Sequence, residues 1–191
     1  PIVSCDSRQI FKELNVGVAR PSEEELAAVP HYFIASHSVT EYYTAGKYEL
    51  EALALLEDLF KSRDNVVMAG GSGFYIDALC NGLDDFPEAD REVRSRLMER
   101  LENEGVETLR MELKRLDPES YDTIDIANSQ RVVLALDVTI STGRKFSSFK
   151  TSPSKNRPFE IEKIGLRRPR EVLYERIDRR VDMMMEAGLE Q

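Results

Sequence analysis

The sequence predicts an α/β fold: a mostly parallel sheet flanked by helices and interrupted by an all-helical insert. Three observations lead there. Short apolar runs of strand length alternate with stretches of helical periodicity, the order that builds parallel sheets. Two of those runs end in turns rich in polar residues or glycine, at 6–9 and 70–73. From residue 87 to 142, apolar positions recur every three or four residues and no strand signal interrupts them.

The elements follow in chain order. Residues 2–5 (IVSC) are an apolar run ending at Asp6 and read as a buried strand; residues 32–35 (YFIA), between His31 and His37, are a second. After a turn at 44–47, residues 48–60 place Leu50, Leu53, Leu56 and Phe60 on one helical face. Residues 66–69 (VVMA) form a third strand, running through Gly70-Gly71-Ser72-Gly73 into a helix over 74–80. A fourth strand is expected over 162–166. Pro169 then opens a helix that runs to Glu186 and stops near Gly188.

Within the insert, Val93, Leu97 and Leu101 repeat every four residues. Leu109, Leu113 and Leu116 define a second helix, ended by Asp117-Pro118. Asn128 or Ser129 caps a third, with Val132, Val133, Leu136 and Ile140 facing inward and Gly143 closing it. The expected organisation is an α/β body of residues 1–86 and 143–191 around an insert of residues 87–142. Residues 151–158, rich in Ser, Pro and Lys, read as the most linker-like stretch.

Composition bounds the function classes. A chain of 191 residues with 41% hydrophobic and 32% charged residues can bury a real core. No apolar run approaches the roughly 18–20 residues of a membrane span, and the first residues have neither part of a signal peptide. A cytoplasmic monomer with no membrane partner is expected. Cys5 and Cys80 lack metal-ligand spacing and read as buried thiols, so no metal site is expected within this chain. The net charge of −9 argues against an indiscriminate polyanion binder, yet the charge is unevenly spread. Residues 144–180 hold 12 Lys/Arg against 5 Asp/Glu; the remainder holds 14 against 30. That basic stretch suits a localised polyanion contact, or it merely solvates a helix face on which Arg176, Arg179 and Arg180 pair with Glu175 and Asp178.

Ligands of open α/β sheets bind beyond the carboxyl ends of the strands, so the two turns are the candidate site. Asp6-Ser7-Arg8-Gln9 offers a proton acceptor followed by groups able to hydrogen-bond a base edge. Gly70-Gly71-Ser72-Gly73 opens a helix, and its backbone N–H groups and hydroxyl suit a phosphate. Read alone, an Asp at a strand end is more often a helix cap than a catalyst, and the glycine turn is as often only a tight connection. On one sheet edge, the pair points to a phosphate-bearing substrate beside a base.

Longer blocks sharpen this reading. IVSCDSRQIFKELNVGVARPSEEEL joins a strand, a DSRQ signature and a Gly-x-Ala-[Lys/Arg]-Pro element. Pro30-His31 and Tyr43-Thr44-Ala45-Gly46-Lys47-Tyr48 follow, then AGGSGFYIDALCNGL, ADREVRSRL, NSQRVVLALDVTISTGR and RRPREVLYERIDRRVDMMMEAGL. In this order and along nearly the whole chain, the blocks resemble the tRNA dimethylallyltransferase family. The chain departs from it in three places. Ser72 replaces the usual Thr, Thr44–Lys47 falls where Ser-Ala-Ala-Asp is frequent, and Leu134 replaces the third arginine of a QRVVRAL motif.

The resemblance implies a P-loop NTPase-like fold. It also implies transfer of a dimethylallyl group from dimethylallyl diphosphate to the exocyclic amine of the adenosine 3′ of the anticodon. Asp6 would take the amine proton. Ser7, Arg8 and Gln9 would hold the flipped-out adenosine and its neighbours. Ser72, with Gly70, Gly71 and Gly73, would bind the diphosphate and help it leave. Arg176 and Arg180 would approach it from the opposite side. Arg94, Gln130, Arg131, Val132, Val133 and Leu134 would meet the tRNA anticodon stem-loop. Members of the family also carry a Gly-x-[Thr/Ser]-x-x-Gly-Lys-[Ser/Thr] loop, which holds the main ligands of Mg²⁺. That motif does not occur in this sequence. The resemblance therefore implies an excerpt without the phosphate loop and the last helices, unable to turn over unaided. An adenylate isopentenyltransferase, a P-loop small-molecule kinase and a non-enzymatic RNA-binding fragment are the alternatives.

Overall fold

The computed structural model describes residues 1–84, 87, 90–150 and 155–190. They form a mixed α/β structure of two compact units, Pro1–Gly82 with Ser154–Gln191 and, separately, Leu83–Pro153.

The α/β unit is built on three parallel strands, β1 (Ile2–Ser4), β2 (His31–Tyr32) and β3 (Val67–Ala69), in the order β2-β1-β3. Ile2 lies opposite both His31 and Val67, and Ser4 lies opposite Ala69. All three strands therefore deliver their following loops to the same edge. β2 is shorter than the run YFIA suggests, because Phe33 and Ala35 both adopt positive φ (60° and 48°) and turn the chain out of the sheet.

Helix α1 (Glu23–Ala28) starts in a capping box between Ser22 and Glu25. Helix α2 (Ala45–Phe60) begins earlier than its apolar spacing indicates: Thr44 caps it by accepting from Lys47 N–H, so the expected turn is the helix's first turn. Its buried face is Ala45, Tyr48, Glu49, Ala52 and Leu56, whereas Leu50 is 72% exposed and Phe60 is also exposed. The small residues and Tyr48 let α2 lie close against α3 (Gly73–Asn81), which buries Tyr75, Ala78, Leu79 and Cys80.

Residues 162–166 form no strand. No edge of the sheet pairs with them, and Ile164 and Leu166 stay open to solvent. The helix after Pro169, α8 (Arg170–Glu186), forms as periodicity predicts but buries no residue. Its apolar stripe, with Leu173 and Ile177, stays exposed among the described residues.

The helical unit contains α4 (Arg91–Glu104), α5 (Val106–Leu116), α6 (Pro118–Thr123) and α7 (Ser129–Thr142), followed by a 3₁₀ turn (Phe146–Phe149). Val93, Leu97, Leu109, Leu113, Val132, Val133 and Leu136 meet in one core with Phe146. Burying side chains of this size contributes about 1.5–3 kcal/mol each. Asn128 caps α7 and Gly143, in the left-handed region, ends it. Ile140, expected inward, is exposed, and the fully buried Asp137 occupies the inner face instead. The helical unit extends past the expected boundary at 142, because Phe146 is part of its core. The basic stretch 144–180 is consequently divided between the two units. Residues 151–154 of the expected linker lie outside the described residues. Lys155 and Arg157 belong to the α/β unit, where Arg157 is firmly held.

Candidate active site at the sheet edge

Two loops meet at the carboxyl ends of β1 and β3. Cys5 N–H donates to the Ala69 carbonyl (2.9 Å) and Ser72 N–H donates to the Cys5 carbonyl (3.2 Å), so the ladder continues one step into the loops. Ser7 N–H then donates to Ser72 Oγ (2.8 Å), and the Ser72 hydroxyl donates to Ser7 Oγ (3.0 Å). Sequence-distant Asp-Ser-Arg-Gln and Gly-Gly-Ser-Gly thus form one surface.

Gly70 is what permits this approach. A Cβ there would lie 2.7 Å from the Cys5 carbonyl carbon and 2.8 Å from Asp6 N, and its φ is +152°. Gly71 and Gly73 face open space. Gly73 is the first residue of α3, where the opening N–H groups have no partner within the helix and the dipole favours an anion. Ser72 makes no capping bond to α3, because its hydroxyl is engaged with Ser7. The donor facing outward is therefore passed along to Ser7, a relay that the sequence does not reveal.

Asp6 is half-buried. Its Oδ1 accepts from Arg8 N–H (2.8 Å) and Gln9 N–H (3.2 Å), which makes it the cap of its own turn. Both readings of Asp6 coexist in this geometry: one carboxylate oxygen holds the turn, and Oδ2 has no hydrogen-bond partner among the described residues. Arg8 is exposed and without an ion pair among the described residues. Gln9 is committed to the fold. Ser4 Oγ donates to its carbonyl oxygen (2.8 Å), and its amide nitrogen donates to the Ala19 carbonyl. Only one N–H of that carboxamide is left for a base, which narrows the expected role of Gln9.

Sequence reasoning missed an aromatic wall behind these loops. Tyr48 is fully buried, its hydroxyl donating to the Ser4 carbonyl (3.0 Å), and it stacks on Tyr75 with centroids 4.3 Å apart. Phe33 packs on the other side of Tyr48 at 5.1 Å. Burial, and then the negative charge of Asp6, push the Tyr75 phenol upward, so it stays neutral beside the carboxylate. Burial and the Glu51 carboxylate, which accepts a hydrogen bond from its hydroxyl (2.8 Å), do the same to Tyr43. The only available signal was the spacing of Tyr75 three residues after Ser72.

The sequence also gave no sign of a clamp at the far end of α3. Arg157 donates through Nε to the Leu79 carbonyl (2.7 Å). Through Nη2 it donates to the Ala78 carbonyl and Glu49 Oε1, both at 2.8 Å. Both side chains of this ion pair are 7% exposed. Arg176 and Arg180, expected on the diphosphate, lie exposed on α8. No hydrogen bond or ion pair among the described residues joins them to the glycine loop.

On the helical unit, Gln130, Arg131 and Leu134 share the exposed face at the start of α7. Arg94 reaches the buried carboxylate of Asp137 (3.5 Å). Val132 and Val133 are fully buried and offer nothing to a ligand; their part is to anchor α7. Leu134 is 37% exposed, so the arginine-to-leucine departure falls on a surface position.

This geometry defines an α/β protein with a ligand site beyond its strand ends: an acid-bearing turn beside a glycine-lined helix entrance. The chain belongs to the IPP transferase family, whose sequence model matches residues 9–191. It is 50% identical over 188 residues to tRNA dimethylallyltransferase 1 of Phocaeicola vulgatus, covering 98% of this chain and 63% of the relative. It is also 50% identical over its whole length to tRNA dimethylallyltransferase 2 of Porphyromonas gingivalis, covering 64% of that protein. The chain thus spans less than two thirds of the curated relatives it matches. The crystal structure of the full-length tRNA isopentenylpyrophosphate transferase from Bacillus halodurans superposes with a TM-score of 0.59 and 30% identity, over 98% of this chain and 58% of that one. A eukaryotic dimethylallyltransferase acting on tRNA shares the fold, with a TM-score of 0.72 at 22% identity, over 98% of this chain and 46% of that one.

Proposed function

We propose that this chain supplies the proton acceptor and the adenosine-holding surface of a tRNA dimethylallyltransferase. The observation that carries the reading is the pairing of the two strand-end loops through Ser7 and Ser72, which sets a half-free carboxylate next to a helix entrance suited to a diphosphate.

In this reading the diphosphate of dimethylallyl diphosphate rests against the first N–H groups of α3. The Ser7–Ser72 hydroxyl pair donates toward its bridging oxygen. The exocyclic nitrogen of the target adenosine attacks the allylic carbon, forming the C–N bond as the C–O bond to diphosphate breaks. Asp6 Oδ2 accepts the nitrogen's proton. Oδ1 keeps the turn in place throughout, so the acceptor stays aimed at the nitrogen. Acid–base assistance of this type contributes about 10²–10⁴-fold. Tyr48 and Tyr75 keep water from the back of the site. Arg94, Gln130, Arg131 and Leu134 meet the anticodon stem-loop.

Magnesium is the cofactor such a reaction takes. No group of three or more His, Cys, Asp or Glu among the described residues could hold a metal ion. The site has one carboxylate with one free oxygen, which does not make a Mg²⁺ site, so no step is assigned to the ion in this chain. The helical unit and the basic stretch 144–180 favour tRNA over a free nucleotide as acceptor. The test is to graft residues 1–191 into the Phocaeicola vulgatus relative in place of the homologous stretch and measure transfer of radiolabelled dimethylallyl to an anticodon stem-loop. Transfer to the RNA supports the reading. Transfer to AMP alone, or none with the relative's own stretch active in parallel, removes it. The ungrafted chain is expected to show no turnover.

A further inference from the structure

We infer that the 3₁₀ turn following α7 is a second RNA contact, a phosphate-binding ridge formed by Arg144, Lys145 and Lys150. The inference deepens the tRNA reading and rests on it. All three cations are exposed, and no carboxylate among the described residues lies within ion-pair distance of any of them. On the nearby helices of the same unit, Arg100 pairs with Glu104 and Glu112, Arg110 with Glu107 and Arg94 with Asp137, whereas Arg115 and Arg131, like the three cations of the turn, have no ion pair among the described residues. The one carboxylate beneath the ridge is spent elsewhere. Asp117 is fully buried and accepts from Ser147 N–H (2.8 Å), Ser147 Oγ (2.9 Å) and both donors of Ser120. Burial opposes ionisation of Asp117, but these hydrogen bonds outweigh it and hold its carboxyl below the usual range. A charged Asp117 therefore fixes the backbone of the turn without neutralising the cations above it.

Two of the three cations, Arg144 and Lys150, are also held in place. The Arg144 guanidinium lies 4.5 Å from the Phe149 ring centroid. Lys150 Nζ lies 5.5 Å from that of Phe146 and donates to Thr123 Oγ1 at 3.5 Å. A guanidinium resting on a ring keeps its edge N–H groups free, and these match two phosphate oxygens. Phe146 is 5% exposed in the unit's core, so the ridge is tied to that core. Less ordering is then needed on binding than for three cations on a free loop. On a chain of net charge −9, a fixed and uncompensated cation group has a polyanion as its natural partner.

The test uses the 191-residue chain and an anticodon stem-loop RNA, with binding followed by fluorescence anisotropy over a range of salt concentrations. The triple variant Arg144→Gln/Lys145→Gln/Lys150→Gln should weaken binding about tenfold or more. It should also lower the slope of log affinity against log salt by about 2, at 0.7–0.9 per lost phosphate contact. Lys145→Gln alone removes a side chain with no bond to the fold, so it cannot act through unfolding; it should lower the slope by about 0.7–0.9. Arg131→Gln reports on the tRNA face of α7 independently. If Arg131→Gln weakens binding while the triple variant and Lys145→Gln leave affinity and slope unchanged, the ridge is refuted and the tRNA reading stands. If the unaltered chain does not bind the RNA, both fall.

Discussion

Removing the Arg157 guanidinium should loosen α3 far more than its distance from the strand-end loops suggests. In Arg157→Ala, Glu49 loses its guanidinium partner at 7% exposure, and Lys155 Nζ lies 3.8 Å away. The Leu79 and Ala78 carbonyls at the end of α3 lose their donor as well. Breaking one side of a buried pair costs about 3–5 kcal/mol, and a buried carbonyl left without a donor about 1–3 kcal/mol. Residual pairing with Lys155 and entry of water offset part of this, so a net loss of about 3–5 kcal/mol is expected. Because the chain has two compact units, one unfolding midpoint would blend them. Hydrogen exchange read by mass spectrometry on peptides from α2, α3 and the helical unit separates them. Amides of α2 and α3 should exchange about 10²-fold faster or more, with α5 and α7 unchanged. Glu49→Gln combined with Arg157→Ala should recover part of the loss, since no buried carboxylate is then left without its guanidinium. Protection in α3 within threefold of the unaltered chain would refute the clamp.

Two further outcomes follow from the same geometry. Gly70→Ala places a methyl carbon under 3 Å from Cys5 and Asp6 backbone atoms at a φ that alanine resists, and it should cost about 1–3 kcal/mol or more. Gly71→Ala meets nothing within 4 Å, so equal thermal shifts for the two variants would contradict the close approach of the loops. The Cys5 thiol, raised by burial from 9.0 to about 11, keeps its proton in the folded chain where the unfolded chain releases it. The unfolded state then binds fewer protons, so stability should fall from about pH 9 to pH 11, by about 2–3 kcal/mol in the full window. Thermal denaturation of Cys5→Ala over that range should show a shallower decline; an identical slope would remove Cys5 as the cause.

Much of the chain was legible because short-range chemistry decides it. Asn128 and Gly143 bracket α7 as caps do, and Leu109 and Leu113 lie on the buried face their spacing predicts. The conflict at 162–166 has a different origin. A strand exists only through its neighbour, and an apolar run cannot say whether an edge is there to receive it. Leu50 misled for a related reason: the face of α2 that packs is chosen by close contact with α3, which favours Ala45 and Ala52 over leucine. At the site, Asp6 and Ser72 could be proposed from their turns. Their union through Ser7 links residues 65 positions apart, and the Arg157–Glu49 pair links residues 108 apart. Neither leaves a local pattern. Val132 and Val133 show the converse, since a motif shared with RNA-modifying enzymes includes residues whose part is to fill the core.

The central claim is that Asp6 has two separable duties, holding its turn through Oδ1 and accepting a proton through Oδ2. Asparagine retains the first and lacks the second, because its carbonyl oxygen still accepts from Arg8 and Gln9 N–H. The deciding measurement is single-turnover dimethylallyl transfer to the anticodon stem-loop by the grafted protein and its Asp6→Asn variant, with RNA affinity measured alongside. A rate reduced about 10²–10⁴-fold at nearly unchanged RNA affinity is expected. An Asp6→Asn protein that transfers the group at the original rate would contradict it.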